Sequence, residues 1–348
     1  MAEAAGIPWQ GLAWTDPDKP SRGLQAAARA ARYGLLSQAA RTVGARVLMV
    51  GHTLDDSLEN ARMRATDTPG LGQLYPWRPV PVWPEGRGLM LCRPMLTLRR
   101  ETLRDWLRSQ GLSWIEDPAN ANPAFARVRA RQALRSVADL IPDPTLSDQD
   151  LSTWLEAVIV DAAGTMTLRR THMADLVAAL GTGAALRALS AMVLCAAGQS
   201  KPPRLEGLMP ILQLLQSTGS EAVRTLGGTQ VRVTPETLTL CREWGRTRPL
   251  PLGVGAGETV IWDSRFQVSV LGAGTLVPAV GHLKALGPSD QARLRALTPM
   301  ARQGLPVCLP DTGDGAYLPD VQFLGGMRLR FALGGIRRER DLWHPNTD

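Results

Sequence analysis

Four residues within one short run are of the types that do chemistry: His52, Asp55, Asp56 and Glu59, in Val47-Leu48-Met49-Val50-Gly51-His52-Thr53-Leu54-Asp55-Asp56-Ser57-Leu58-Glu59. Asp55 precedes Glu59 by four positions and Asp56 precedes it by three, so on a helix the carboxylates lie along one face, with His52 just ahead of it. Hard oxygen ligands in such a cluster suit a magnesium ion that carries nucleotide phosphates. A plain structural reading stands beside this one, because aspartates in a first helical turn stabilise the helix through its dipole. Zinc is disfavoured: the chain has four histidines, and no two fall at helical ligand spacing.

The elements around this run must place it. Val47–Val50 is apolar, continuous and too short for an amphipathic helix, which predicts a strand covered on both faces in a parallel sheet. Gly51 breaks the strand and Thr53 is suited to cap the following helix. A strand-to-helix turn of this kind lies at the carboxyl edge of an α/β sheet, where such folds bind ligands. Upstream, residues 7–14 read as a short strand, and Leu24–Val43 as an alanine-rich helix that carries Arg29, Arg32 and Tyr33 and closes at Gly44. Downstream, residues 66–87 read as a long loop and Leu89–Cys92 as a strand ending at Arg93-Pro94. Leu98–Gln110 reads as an amphipathic helix with Leu103, Trp106 and Leu107 inward, ended by Gly111. The alternation predicts an α/β, Rossmann-like parallel sheet.

Beyond it, Trp114-Ile115-Glu116-Asp117-Pro118 opens a polar loop. The helix expected next places Arg127, Arg131 and Arg135 at successive spacings of four, a basic stripe that either meets nucleic-acid phosphates or is a solvated face. Ile141-Pro142-Asp143-Pro144 marks a boundary. From Asp148 to about Gln216 the pattern is helical, with breaks near Gly181–Gly183 and Lys201–Pro203. Short alternating segments follow: 230–233, 238–240, 259–262 and 266–270. Three regions are expected: an α/β domain over 1–140, a helical region over 141–217, and a small β-rich module with a tail over 218–348.

The chain has 348 residues and a net charge of +7. Residues 1–135 hold 19 Lys and Arg against 12 Asp and Glu, and the remainder holds 20 against 20, so the excess lies at the front and favours a polyanionic partner there. Arginine outnumbers lysine heavily, which fits either phosphate recognition or genome composition. No apolar run approaches the length of a membrane span, and the opening residues lack the features of a signal peptide. Cys92, Cys195, Cys241 and Cys308 are scattered, as expected of reduced cytoplasmic thiols.

A family emerges from the succession of motifs. Ala28-Arg29-Ala30-Ala31-Arg32-Tyr33, Gly51-His52-Thr53-Leu54-Asp55-Asp56 with Glu59, Arg93-Pro94, Trp114-Ile115-Glu116-Asp117-Pro118 with Asn120, and Phe125 with Arg127, Arg129 and Arg131 together resemble tRNA(Ile)-lysidine synthetase, in order and in approximate spacing. Later, Thr225-Leu226-Gly227-Gly228, Arg242-Glu243 and Trp262-Asp263-Ser264-Arg265-Phe266 are similar to the carboxyl-terminal part of that family in alphaproteobacteria. The resemblance implies an adenine nucleotide alpha hydrolase-like fold of the PP-loop superfamily and a cytoplasmic ligase. By that resemblance, ATP would adenylate the C2 oxygen of the wobble cytidine of the isoleucine tRNA with a CAU anticodon, releasing pyrophosphate, and free L-lysine would then displace AMP. It implies that Asp55, Asp56, Glu59 and His52 are catalytic. Asp55 and Asp56 would hold Mg2+, or one of the acids would hold the lysine ammonium or take its proton. Arg29 and Arg32 would lie beside ATP, and Arg93, Arg127 and Arg131 would hold phosphates or tRNA. A homodimer is one possible assembly.

The chain departs from the family pattern in two ways. Ser-Gly-Gly-x-Asp-Ser, the loop whose backbone amides cradle ATP phosphates, does not occur in these residues. The expectation is therefore an amino-terminally truncated domain whose sheet lacks its first strand and which is inactive alone. In addition, Asp67-Thr68-Pro69-Gly70 stands where the family has a basic stretch, reversing charge where a polyanion is expected. A non-catalytic tRNA-binding remnant is the alternative reading, and an unrelated magnesium-dependent phosphohydrolase is a third.

Overall fold

The computed structural model describes residues 6–15, 24–63, 74, 76–115, 151–217, 219, 221–245, 248–313 and 315–333. Described residues up to Ile115 belong to one compact unit, and those from Leu151 to Leu333 belong to a second.

In the first unit, α1 (Leu24–Thr42) is followed by Gly44, whose φ of 69° turns the chain into β1 (Val47–Met49). After α2 (Leu54–Met63) come β2 (Trp77–Pro79), β3 (Met90–Cys92) and α3 (Arg100–Ser109). The strands form a sheet in the order β1-β3-β2. β1 runs parallel to β3, with Met49 opposite Cys92, and β2 runs antiparallel to β3. Tyr33 and Ala40 of α1 pack against Val80, Leu89 and Leu91 to form the core. Burial of a side chain such as Leu91, which is fully buried, contributes about 2 kcal/mol.

Several expectations need correction here. The sheet is mixed, because β2 emerges from the stretch expected to be loop and pairs antiparallel. β1 is not covered on both faces: it has β3 as its partner in this sheet, and Met49 is 72% exposed. Residues 7–15 form no strand, and Ile7 and Trp9 are exposed. Trp106 points outward, at 58% exposure, and α3 contains no buried residue. An apolar stripe fits a buried face only when another element covers it, and α3 is instead anchored at its amino end by ion pairs.

The second unit opens with α4 (Ser152–Leu155), β4 (Ile159–Val160) and β5 (Met166–Arg169), so strands stand where the sequence pattern reads as helix. α5 (Arg170–Ala197) bends at Gly181, where φ is 82° and ψ 171°, and α6 (Leu205–Gln216) follows the Pro202-Pro203 break. β6 (Ala222–Leu226), β7 (Thr229–Val233) and β8 (Thr237–Arg242) complete an antiparallel sheet in the order β4-β5-β8-β7-β6. Alternation explains it: Met166, Leu168, Val231, Val233, Leu238 and Leu240 all face α5 and α6 in one core. The helical stretch and the first strands thus share one core, which is why neither stands as a separate module. By length and composition α5 could cross a membrane, but its apolar residues pack this core.

Six further strands make two three-stranded sheets. β9 (Leu252–Val254), β12 (Gly274–Pro278) and β13 (Pro306–Pro310) form one, and β10 (Thr259–Trp262), β11 (Phe266–Ser269) and β14 (Asp320–Phe323) form the other. Trp262, Phe266, Val268, Leu276 and Val307 fill a second core. The last described helix, α7 (Gly325–Leu333), adds Leu329 and Leu333 to the core under α5 and α6.

The three carboxyl-terminal motifs meet at one buried junction. Asp263 pairs with Arg242 at 3.3 Å and with Arg265 at 2.7 Å, and Arg265 also donates to the Gly304 carbonyl at 2.9 Å. Arg265 lies over the Phe266 ring at 4.7 Å and the Trp244 ring at 5.4 Å. Gly228 has a φ of 79°, which favours glycine, and a Cβ there would also sit 2.9 Å from Arg242 Nη1. These residues hold strands together, which accounts for the motifs structurally.

Candidate active site

Because β1 and β3 are parallel and in register, their carboxyl ends deliver Gly51-His52-Thr53 and Arg93 to the same edge of the sheet. The Val50 N–H, donating to the Cys92 carbonyl at 3.0 Å, carries the pairing one step past the strands. This is the edge where α/β sheets place ligands.

Arg93 is 4% exposed, and its Nε donates to His52 Nδ1 at 3.2 Å. Burial lowers the Arg93 pKa, the neighbouring Tyr33 opposes that shift, and the charge of Arg29 adds to it. Arg29 and Arg32 place their guanidinium carbons 5.0 Å and 5.5 Å from the centre of the Tyr33 ring. That is cation–π geometry. His52, Arg93, Tyr33 and Arg29 therefore form one connected group. Arg93 is buried and not on an open surface. Arg32 is exposed.

Asp55, Asp56 and Glu59 stand on α2 as the spacing predicts, and each is engaged by protein. Asp56 Oδ2 accepts from both the backbone N–H and the hydroxyl of Thr53, at 2.8 and 2.9 Å. This is the reciprocal half of a capping box, with the third helical residue satisfying the cap's own N–H. Asp55 Oδ2 accepts the Arg100 N–H at 2.7 Å, and its Oδ1 lies 3.2 Å from Arg99 Nη2. Arg100 then reaches Asp56 Oδ1 and Glu59 Oε1, both at 3.5 Å. Glu59 is 1% exposed.

As placed, these acids do not fit magnesium, which takes carboxylate oxygens not already committed to donors. Among the described residues, no group of three or more His, Cys, Asp or Glu is arranged to hold a metal ion. The structural reading of first-turn aspartates accounts for Asp56, and a cap supplied by one helix to another accounts for Asp55.

Sequence reasoning missed Arg99 and Arg100, although a signal was present. Two adjacent arginines at a helix start oppose the helix dipole and need acidic partners to be held there. It also missed that Trp114 lies near Arg104 and Arg108, whose guanidinium carbons are 5.5 and 5.2 Å from its ring centre. Arg127 and Arg131, with the rest of that stripe, lie outside the described residues.

Comparison with known proteins gives the class first. Residues 1–138 match the PP-loop domain family, consistent with an α/β nucleotide-binding fold. The chain is 38% identical over 328 residues to a tRNA(Ile)-lysidine synthase of Caulobacter vibrioides, covering 92% of this chain and 75% of that protein. A relative of the same name in Hyphomonas neptunium is 36% identical over 67% of this chain and 65% of its own length. One in Brucella suis is 33% identical over 76% and 61%. The chain belongs to the tRNA(Ile)-lysidine synthase family. It spans three quarters of the first of these relatives and under two thirds of the other two.

Proposed function

We propose that this chain serves lysidine formation: the ATP-dependent joining of lysine to C2 of the wobble cytidine in the isoleucine tRNA with a CAU anticodon, in the cytoplasm. The observation that carries this reading is similarity to a tRNA(Ile)-lysidine synthase along 92% of the chain.

The sheet edge carries two chemically distinct groups. In the first, Arg29 and Arg32 supply positive charge for nucleotide phosphates, with Tyr33 holding them in place, while Arg93 is buried against His52. In the second, Asp55, Asp56 and Glu59 pair with Arg99 and Arg100. In this reading the carboxyl groups of this cluster receive the ammonium of free lysine. Arg127 and Arg131 serve tRNA phosphates in this reading. The three acids are given no magnesium-binding role, because each is already paired.

The 348 residues contain no Ser-Gly-Gly-x-Asp-Ser run, and taken alone they are expected to bind the tRNA without completing ligation. The second reading, a tRNA-binding member without catalysis, draws support from the internal pairing of the acids. Incubating the chain with ATP, radiolabelled lysine and the tRNA transcript tests whether these 348 residues suffice for ligation. Retained tRNA binding without label transfer is expected. Label on the tRNA would overturn the expectation of inactivity and remove the second reading.

A further inference from the structure

We infer that Arg93 is a positioning residue that fixes His52 as a neutral imidazole with its proton on Nε2, so that His52 acts as a hydrogen-bond donor and not as a base. The inference deepens the lysidine reading of the same site and rests on it for its purpose, though not for its test.

The argument is a matter of donors and acceptors. An arginine guanidinium has five N–H donors and no acceptor, and it keeps its proton in proteins. Arg93 Nε lies 3.2 Å from His52 Nδ1 and donates to it. Nδ1 must therefore present a lone pair, and the ring proton of the neutral imidazole must sit on Nε2. Which ring nitrogen carries the proton is set by the bond that the other one makes. Protonating Nδ1 would both break this bond and place a second cation against a guanidinium that is 4% exposed. With one nitrogen occupied as an acceptor and the other protonated, the ring has no lone pair left to accept a proton from the lysine amine. What His52 can offer is an N–H to an oxygen.

The fold makes this arrangement durable. His52 follows β1 and Arg93 follows β3, and the parallel register of Met49 with Cys92 brings the two residues together at the strand ends. Tyr33 and Arg29 flank Arg93 from α1, and their opposed effects on its pKa place both within electrostatic reach of it. Arg93 is thus enclosed, and a rotation that released Nδ1 would have to disturb the core around Tyr33.

The test is nitrogen NMR of the histidine rings in the 348-residue chain, without ATP or tRNA. The chain has four histidines, and His52→Gln identifies the His52 signals by their loss. The expected spectrum shows one His52 tautomer, with a bare acceptor Nδ1 and a protonated Nε2. Arg93→Lys, whose ammonium can still donate, is expected to keep that tautomer dominant. Arg93→Met is expected to give a mixture of tautomers. A wild-type ring protonated on Nδ1, or one averaging between tautomers, overturns the inference, as does an Arg93→Met spectrum unchanged from wild type. Should Arg93→Met not fold, the wild-type and Arg93→Lys spectra still decide the matter. A chain that makes no lysidine yet shows the Nε2–H tautomer separates failure of the functional reading from failure of this one.

Discussion

Asp55 on α2 caps α3: its Oδ2 accepts the backbone N–H of Arg100 at 2.7 Å, while its Oδ1 lies 3.2 Å from Arg99 Nη2. The cap residue of α3, Arg99, makes no side-chain capping bond of its own. An acid that looks catalytic by position therefore does structural work between two helices. Asp55→Ala is expected to destabilise the first unit by about 1–2 kcal/mol, the usual cost of a lost cap with its dipole contribution. Asp55→Asn, which keeps an acceptor, is expected to lose about half of that. Urea unfolding of the two variants against wild type measures both, and an Asp55→Ala variant as stable as wild type would contradict the assignment.

Arg100 bridges Asp56 and Glu59, and Glu59 is the most buried of the three acids. Removing the cation leaves a buried carboxylate poorly compensated. Arg100→Met is expected to cost about 2–3 kcal/mol, below the range for a fully buried pair because Arg100 is partly exposed. Adding Glu59→Leu is expected to restore much of that loss. Unfolding free energies for the two single variants and the double variant decide it, and simple additivity would show that the pair is not coupled.

At the buried junction of the second unit, Gly198 ends α5 with φ 67°, and a Cβ there would lie 2.6 Å from Arg265 Cγ and 2.8 Å from the Asp263 carbonyl. Gly198→Ala meets both a left-handed backbone and a clash, so a loss of about 2 kcal/mol is expected. Gly44→Ala is the control. It has a similar φ of 69° with nothing near its Cβ position, so it should lose only the backbone part. Equal losses for the two variants would mean that the junction is looser than described.

Burial pushes the Cys195 thiol up to about 12 and the Cys241 thiol up to about 11, from a reference value of 9.0. A raised folded-state pKa favours the protonated thiol in the folded chain. The associated stability is therefore complete below pH 9 and is lost as pH rises through about 11 and then about 12. Denaturant midpoints of the second unit should fall with pH above about 9, and the fall should shrink in Cys195→Ala. A midpoint that rises over that range would reverse the sign and refute the burial argument.

Much of this architecture could be read from residues, and the failures have physical causes. Helix α1, the break at Gly181 and the hairpin strands were legible because periodicity, glycine and proline act locally. Met49 and Trp106 were misplaced because burial depends on what other elements cover, which one strand or helix does not encode. The first turn of α2 was read correctly as acidic, but Arg99 and Arg100, more than forty residues on, decide what those acids do. The pairing of His52 with Arg93 needed the register of β1 against β3. Each residue was visible alone as a candidate, and their relationship was not.

The central claim, that this chain is built to hold a tRNA, is tested most directly by binding of the CAU-anticodon isoleucine tRNA transcript to the full chain across a salt series. Phosphate contacts predict an affinity that falls steeply and log-linearly with salt. An affinity that stays flat with salt, or no binding at low salt, would contradict the claim.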